Sequence, residues 1–195
     1  AFFRQWECMA QRIETGCAGT IGSLYEIGCG SGVNLYLFST LKHVAVLSGL
    51  DYSKNLIRIA QSVVLEADVG CEEALRVPTE PKYDVVLADS VFQYFNDAAY
   101  GQKVLERMWA KTEKMVVVTE VHDQEKKDEH MAYAGSVSRI MMKYMRGWTK
   151  HFTPERCSCN LQRSTGADVR SYNLITNCTG ITGLCLIAIC IKNNA

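Results

Sequence analysis

The sequence lacks an excess of charge, a long apolar run and a secretory segment. Lys and Arg number 21, as do Asp and Glu, and a nucleic-acid partner is not expected because such partners call for a basic face. The longest late apolar run, Leu184 to Ile191, spans eight residues, far fewer than the roughly 20 that cross a membrane. Without a secretory segment, the nine cysteines are expected to be reduced thiols of a soluble cytoplasmic protein.

A metal site is also not expected. Cys157 and Cys159 supply two thiols, which make half of a zinc site, and no matching pair stands at ligand spacing elsewhere. The apolar fraction of 48% over 195 residues is enough for a sizeable core. One domain over residues 1–195 is therefore predicted.

The most informative stretch begins with Leu24 to Ile27, which is typical of the end of a buried strand. Alternating glycines follow at Gly28, Gly30 and Gly32. They predict a tight turn, because glycine adopts positive φ and lets a ligand approach the backbone. A second apolar run, Val44 to Leu50, ends at Asp51, where a carboxylate can accept hydrogen bonds from two ribose hydroxyls. The stretch predicts a nucleoside site.

Glu26 and the glycine spacing indicate which nucleoside. The dinucleotide fingerprint G-x-G-x-x-G/A asks for a small residue where this chain has Val33. The pattern Glu-x-Gly-x-Gly-x-Gly, from Glu26 to Gly32, instead resembles the first motif of class I S-adenosylmethionine-dependent methyltransferases. In that family the acid before the glycines helps hold the cationic amino-acid end of the cofactor. The resemblance implies that role for Glu26, whereas an acid there would repel a pyrophosphate.

The resemblance also implies the fold. It is an α/β, Rossmann-like, seven-stranded and mostly parallel sheet with an antiparallel last strand and helices on both faces. The third strand is expected to begin at Val63-Val64-Leu65 and to end at Ala67-Asp68-Val69. Ala167 to Leu174 and Thr182 to Ile191 are predicted strands with no room for a crossover helix between them, so they are expected to pair antiparallel.

Two family positions concern the adenine. Tyr52, directly after the ribose acid, matches a position whose side chain lies against the adenine face; the alternative is a half-exposed aromatic at a strand end. An acid at the end of the third strand commonly accepts from the adenine amino group, and the next backbone N–H meets a ring nitrogen. This implies those roles for Asp68 and Val69. Three neighbouring acids could also stand at the end of the third strand, so the choice of acid stays open: Glu66, Glu72 and Glu73.

Tyr83 to Phe95 forms a second informative block. An apolar strand that ends in polar residues is typical of a central parallel strand, whose carboxyl end borders a ligand crevice. The block resembles the family's fourth motif, and its aromatic-rich end is similar to members that act on small molecules. It differs from the Asn/Asp-Pro-Pro-aromatic motif of enzymes that methylate DNA bases or protein glutamines. Asp89 and Ser90 are thus expected to border the methyl-transfer centre beside the cofactor; alternatively they cap the following turn.

The predicted fifth strand, Lys114 to Val121, brings Glu120, His122 and Asp123 to the same edge. His122 is the candidate general base or acceptor-orienting residue; the alternative is a surface histidine. Residues 124–152 carry an amphipathic helical pattern where the family often builds its substrate cover, and they are expected to form a helical insertion.

The first predicted helix has its apolar residues at helical spacing: Phe2, Trp6, Met9 and Ile13. This stripe indicates a helix that packs on the core. The family also uses N-terminal helices as lids over the cofactor, and the two roles are compatible.

Together these features predict transfer of a methyl group from S-adenosylmethionine to a small-molecule acceptor, by O- or N-methylation, with S-adenosylhomocysteine as product. Two alternatives stay open. One is a methyltransferase that acts on a protein or an RNA. The other is a catalytically inactive S-adenosylmethionine-binding subunit of a partner enzyme.

Overall fold

The computed structural model describes residues 2–121, 169–172 and 186–192. Helices α1 to α4 are Phe2–Gly16, Val33–Lys42, Lys54–Val63 and Ala98–Lys111. Strands β1 to β7 are Ser23–Ile27, Val46–Asp51, Asp68–Cys71, Tyr83–Asp89, Thr112–Val121, Val169–Tyr172 and Leu186–Lys192. Two short 3-10 turns, Ala74–Arg76 and Phe92–Tyr94, follow β3 and β4. No helix in these ranges is long and apolar enough to span a membrane.

The strands form one sheet in the order β3-β2-β1-β4-β5-β7-β6. Strands β1 to β5 are parallel, which confirms the predicted α/β fold with a parallel sheet. Strand β7, the last in the chain, runs antiparallel to β5 and to β6, so the edge strand β6 has the direction of the parallel strands. The chain order reverses between β1 and β4, and in open α/β sheets ligands bind outside the carboxyl ends of the strands at such a point.

Helices cover both faces of the sheet. Val85 and Leu87 of β4 belong to one apolar cluster, together with residues of α1, α2 and α3. Val86 and Ala88 of the same strand belong to a second cluster, with residues of α4. This alternation is the period of two that a strand buried on both faces requires.

The third strand begins later than the sequence predicted. Val63 ends α3 and Val64 is its C-terminal cap, because the buried side of this helix continues from Ala60 to Val64. The strand starts only at Asp68. The β-branched residues Val63 and Val64 favour a strand by local propensity, and their packing as a helix end overrides that preference.

Candidate functional site

The glycine turn follows β1 at the point where the strand order reverses. Gly28, Gly30 and Gly32 have φ angles of 71°, 55° and 84°, as the predicted tight turn requires. A Cβ on Gly28 would lie 2.4 Å from Val91, and one on Gly32 would lie 3.2 Å from the Cβ of Ala60. A Cβ on Gly30 would meet nothing within 4 Å. Packing therefore accounts for two of the glycines, whereas Gly30 leaves its backbone open to a ligand.

Asp51 ends β2 and is buried beside this turn. Its Oδ2 accepts a hydrogen bond from the Gly30 N–H at 3.0 Å, and its Oδ1 accepts from the Ser53 N–H at 2.8 Å. The predicted ribose acid is thus at the carboxyl edge of the sheet. It also holds the glycine turn in place, a role that the sequence did not indicate.

Tyr52, the predicted adenine neighbour, is 80% exposed at the same edge. Because no described residue covers its ring, the ring is accessible to a ligand from the crevice side of β2. Both alternatives in the sequence, an adenine contact and an exposed aromatic at a strand end, are compatible with this position.

The structure does not bring Asp68 and Val69 to the ligand edge, so that assignment was wrong. Asp68 pairs with Ser48 at the amino end of β3, and the Val69 side chain is buried. The strand reaches the edge at Cys71, three residues later, which corresponds to about 10 Å of strand. The next residue, Glu72, donates its N–H to the backbone oxygen of Asp51 at 3.1 Å. Glu72, one of the acids that left the register open, therefore stands at the carboxyl edge.

A chain of buried polar side chains joins the glycine turn to the end of β4. Asn34, in the first turn of α2, donates to Glu26 Oε1 at 2.7 Å and to Asp89 Oδ2 at 3.1 Å. The other oxygen of Asp89 accepts from the Thr119 hydroxyl at 2.5 Å. The sequence predicted Glu26 and Asp89 but neither Asn34, which connects them, nor Thr119, which bonds to Asp89. The only signal for Asn34 was a polar residue directly after the glycines.

Glu26 is 2% exposed, and its Oε2 has no hydrogen-bond partner among the described residues. Burial raises the pKa of Glu26 to about 8, and the nearby carboxylates of Asp89 and Asp51 add to the increase, while the hydrogen bond from Asn34 opposes it. A buried oxygen without a partner is costly to leave unpaired. The site therefore offers a carboxyl group that a cation would complete.

Ser90 and Glu120 lie side by side just past β4 and near the end of β5. Both have left-handed backbones, with φ angles of 58° and 53°. The Ser90 hydroxyl donates to Glu120 Oε2, and the Ser90 N–H donates to the Thr119 backbone oxygen at 3.2 Å. Burial raises the pKa of the Glu120 carboxyl, and the charge of Asp89 acts in the same direction. Non-glycine residues keep such backbones only where the surrounding structure holds them. They cluster at functional sites.

A pocket opens between α1 and the ends of β4 and β5. Its lining consists of Phe2, Gln5, Trp6, Met9, Asp89, Thr119 and Glu120. Helix α1 buries Trp6, Met9 and Ile13 in the core, as the helical stripe predicted. The same helix contributes one wall of the pocket, and its role as a lid over the cofactor stays a prediction.

His122 and the predicted insertion at 124–152 lie outside the described residues. Glu120, Asp89 and Ser90 are the polar residues that the structure places together at this edge. Within the described ranges, no group of three or more His, Cys, Asp or Glu side chains is arranged to hold a metal ion.

Comparison with known proteins agrees with this geometry. Residues 25–113 match the family model described as a methyltransferase domain. Malonyl-acyl-carrier-protein O-methyltransferase of Bacillus cereus is 30% identical over 88 residues, which is 44% of this chain and 32% of that protein. The corresponding protein of Bacillus anthracis is 30% identical over 76 residues, 38% of this chain and 28% of that protein. The chain thus spans about a third or less of these curated relatives.

Solved structures resemble nearly the whole chain. The plantazolicin methyltransferase BpumL, in complex with a triazolic desmethylPZN analog and SAH, has a TM-score of 0.79 at 19% identity; the match covers 98% of this chain and 84% of that one. The N-methyltransferase NodS from Bradyrhizobium japonicum has a TM-score of 0.65 at 15% identity and covers 98% and 96%. At these identities the likeness establishes the fold. Together with the match of residues 25–113 to a methyltransferase domain, it shows that this chain resembles class I S-adenosylmethionine-dependent methyltransferases.

Proposed function

We propose that this chain transfers the methyl group of S-adenosylmethionine to a small-molecule acceptor, by O- or N-methylation, and releases S-adenosylhomocysteine. The observation that carries the proposal is the unpartnered Oε2 of buried Glu26 beside an open glycine turn. A cationic amino group would pair this oxygen, and the turn would admit the rest of the cofactor.

The cofactor-binding residues follow from position. Glu26 would hold the amino-acid end, with Asn34 fixing its other oxygen. Asp51 would accept from the ribose hydroxyls with the lone pairs that the turn leaves free, because each carboxylate oxygen can accept two hydrogen bonds. Tyr52 would lie against the adenine, and Glu72 would take the adenine-amino role first expected of Asp68.

The acceptor side of the site is the pocket under α1. S-adenosylmethionine supplies an already activated methyl group, so the protein's tasks are to align the acceptor and to exclude water. Holding reactants in a near-attack geometry contributes about 7–11 kcal/mol. Asp89 and Glu120 line this region together with apolar Trp6 and Met9, and Ser90 adjoins it through its contact with Glu120. His122 remains our candidate for a general base or for a residue that orients the acceptor; a general base would contribute roughly 10²–10⁴-fold.

We extend the proposal to the organisation of the chain. Residues 1–195 would form one domain with β6 and β7 completing a seven-stranded sheet, and residues 124–152 would cover the acceptor. Among the described residues, Cys17, Cys29 and Cys71 are free thiols, which supports a reducing cytoplasmic location.

A second candidate comes from the curated relatives, which are named as O-methyltransferases of a malonyl group on acyl-carrier protein. In that case the acceptor would be a carboxylate presented by a protein. The match at 30% identity over 88 residues favours this candidate, and the acidic lining of the pocket opposes it.

The proposed function can be tested with methyl-tritiated S-adenosylmethionine. The chain is incubated with the dialysable fraction of a cell extract or with the retained macromolecules, and the label is counted in each. We expect label in dialysable products. Label confined to macromolecules would favour the carrier-protein or RNA alternative. No transfer, by a protein that still binds S-adenosylhomocysteine, would indicate an inactive binding subunit.

A further inference from the structure

Glu120 is the acidic side chain of the pocket with unused hydrogen-bonding capacity. It lies near the carboxyl end of β5, and its Oε2 accepts from the Ser90 hydroxyl. No described residue donates to its Oε1. Asp89 accepts one hydrogen bond on each oxygen, from Asn34 and Thr119. Of the two pocket acids, Glu120 therefore offers a donor the oxygen with both lone pairs free.

The pocket and the cofactor site have separate acids. Buried Glu26, with its own unpartnered oxygen, is connected to Asp89 through Asn34 and serves the amino end of the cofactor in the proposed function. Glu120 is bonded instead to Ser90 and lines the pocket together with Asp89 and residues of α1. The site thus has one carboxyl group for each of two cations.

The remaining lining favours an apolar or aromatic acceptor and disfavours an anion. The wall contributed by α1 consists of apolar Phe2, Trp6 and Met9 and of one uncharged polar residue, Gln5. None of the described lining residues is Lys or Arg, so a carboxylate acceptor would face Asp89 and Glu120 without a described counter-charge. An ammonium group would be attracted by the acids and by the faces of aromatic rings.

We propose that the acceptor is an amine carrying an apolar or aromatic body, and that Glu120 binds its ammonium group and takes one proton from it. This inference rests on the proposed function and names its substrate class. It assigns Glu120 to direct contact with the acceptor, whereas Ser90 positions the Glu120 carboxyl group.

Loss of a proton from the ammonium must precede methyl transfer. An ammonium has no lone pair, and amines of the lysine kind are protonated at neutral pH because their pKa is about 10.4. Glu120 accepts one N–H proton, and the nitrogen regains its lone pair. The nitrogen then forms a bond to the methyl carbon while the carbon–sulfur bond breaks, and that electron pair stays on sulfur. The products are a methylated ammonium, S-adenosylhomocysteine and one proton, which Glu120 returns to solvent.

Binding of two matched probes tests the inference without any need for turnover. The full chain, saturated with S-adenosylhomocysteine, is titrated calorimetrically with 2-phenylethylamine and with 3-phenylpropanoate, which share a phenyl body and differ in charge. We expect the amine to bind at least about tenfold more tightly, because hydrogen bonds to charged groups are among the stronger ones. Glu120→Gln should remove most of this preference while keeping the contact with Ser90.

Glu113→Gln is the matched control, because it makes the same change in an exposed glutamate at the opposite end of β5. It should keep the parent's preference for the amine. The inference is overturned if the parent prefers 3-phenylpropanoate, shows no preference or binds neither probe. It is equally overturned if the preference survives Glu120→Gln. Failure of the proposed function has a different signature, since the parent would then not bind S-adenosylhomocysteine.

The chemical lability of the transferred label gives an independent test. Methyl esters release methanol in alkali, whereas methylamines do not. Tritiated products formed from the dialysable extract should therefore keep their label after alkaline treatment. Release of most of the label as volatile methanol would identify a carboxylate acceptor and overturn the amine assignment.

Discussion

The buried carboxyl group of Glu26 should make the stability of the fold depend on pH. Burial raises its pKa to about 8 in the ligand-free fold, from a value of 4.5. Between these pH values the folded state binds a proton that the unfolded state does not, so the free energy of unfolding falls as pH rises. Over the whole pH range between the two pKa values, the free energy of unfolding should fall by on the order of 5 kcal/mol. From pH 6 to pH 8 the loss should be about 2 kcal/mol.

The same carboxyl group couples proton release to cofactor binding. At pH 7 a group with a pKa of about 8 is mostly protonated, and it must ionise to pair with the cofactor's ammonium group. Binding of S-adenosylhomocysteine should therefore release close to one proton, and the affinity should rise with pH up to about 8. Calorimetry at pH 7 in two buffers with different ionisation enthalpies counts the released protons.

Glu26→Gln keeps the shape of the side chain and removes the titration. This variant should release almost no proton on binding and should not lose stability between pH 6 and pH 8 through this group. Glu113→Gln, an exposed glutamate on β5, should behave as the parent does. Proton release unchanged in Glu26→Gln, or a parent whose binding enthalpy is independent of the buffer, would refute the reasoning.

Four further predictions concern single positions. Asp51→Ala should weaken binding of S-adenosylhomocysteine by about 1.5–3 kcal/mol, the range for hydrogen bonds to a charged group; unchanged affinity in a folded variant would exclude Asp51 from the ribose site. Gly30→Ala should weaken the same binding strongly, because the backbone there is open to the crevice, whereas Gly19→Ala, also with positive φ and open space, should not. Equal effects of these two variants would contradict a ligand at Gly30. Gly49→Ala should lower the free energy of unfolding by about 1–3 kcal/mol in urea titrations, because its Cβ would lie 2.8 Å from a backbone oxygen of β1, and an unchanged midpoint would show that the strands adjust. His122→Asn should lower turnover by roughly 10²-fold while leaving cofactor affinity within about twofold; turnover within a few-fold of the parent would remove His122 from the mechanism.

Features set by short stretches of sequence could be predicted. The glycine turn needs positive φ at alternating positions, and only its own residues decide that. Glu26 and Asp51 lie at the carboxyl ends of their strands, as the sequence indicated, and their roles toward a cofactor stay predictions. The boundary of β3 depended instead on how far α3 packs against its neighbours, and local propensity at 63–65 gave the wrong answer, which displaced Asp68.

Features that join distant parts of the chain could not be predicted. Asn34 bonds to Asp89 across 55 positions of sequence, and its partner could be recognised only once the helix and the strand were placed. Ser90 and Glu120 are in contact although they lie 30 positions apart in the sequence. The contact depends on a left-handed backbone at each residue, and neither residue is a glycine that would have indicated one. The residues of the acceptor pocket are therefore the part of the site that required the fold.

At Ser90 and Glu120, the left-handed backbone makes selection for stability oppose selection for activity. Glycine adopts such a conformation without strain, so Ser90→Gly or Glu120→Gly would relieve backbone strain of about 1 kcal/mol or more. A search for stabilised variants that ignored activity would thus tend to accept glycine at these positions. Such a search would remove the Ser90 hydroxyl and the Glu120 carboxyl group, which lie at the pocket in which the proposed acceptor binds. Under the proposed function, selection for heat resistance alone would therefore act against two side chains of the acceptor site.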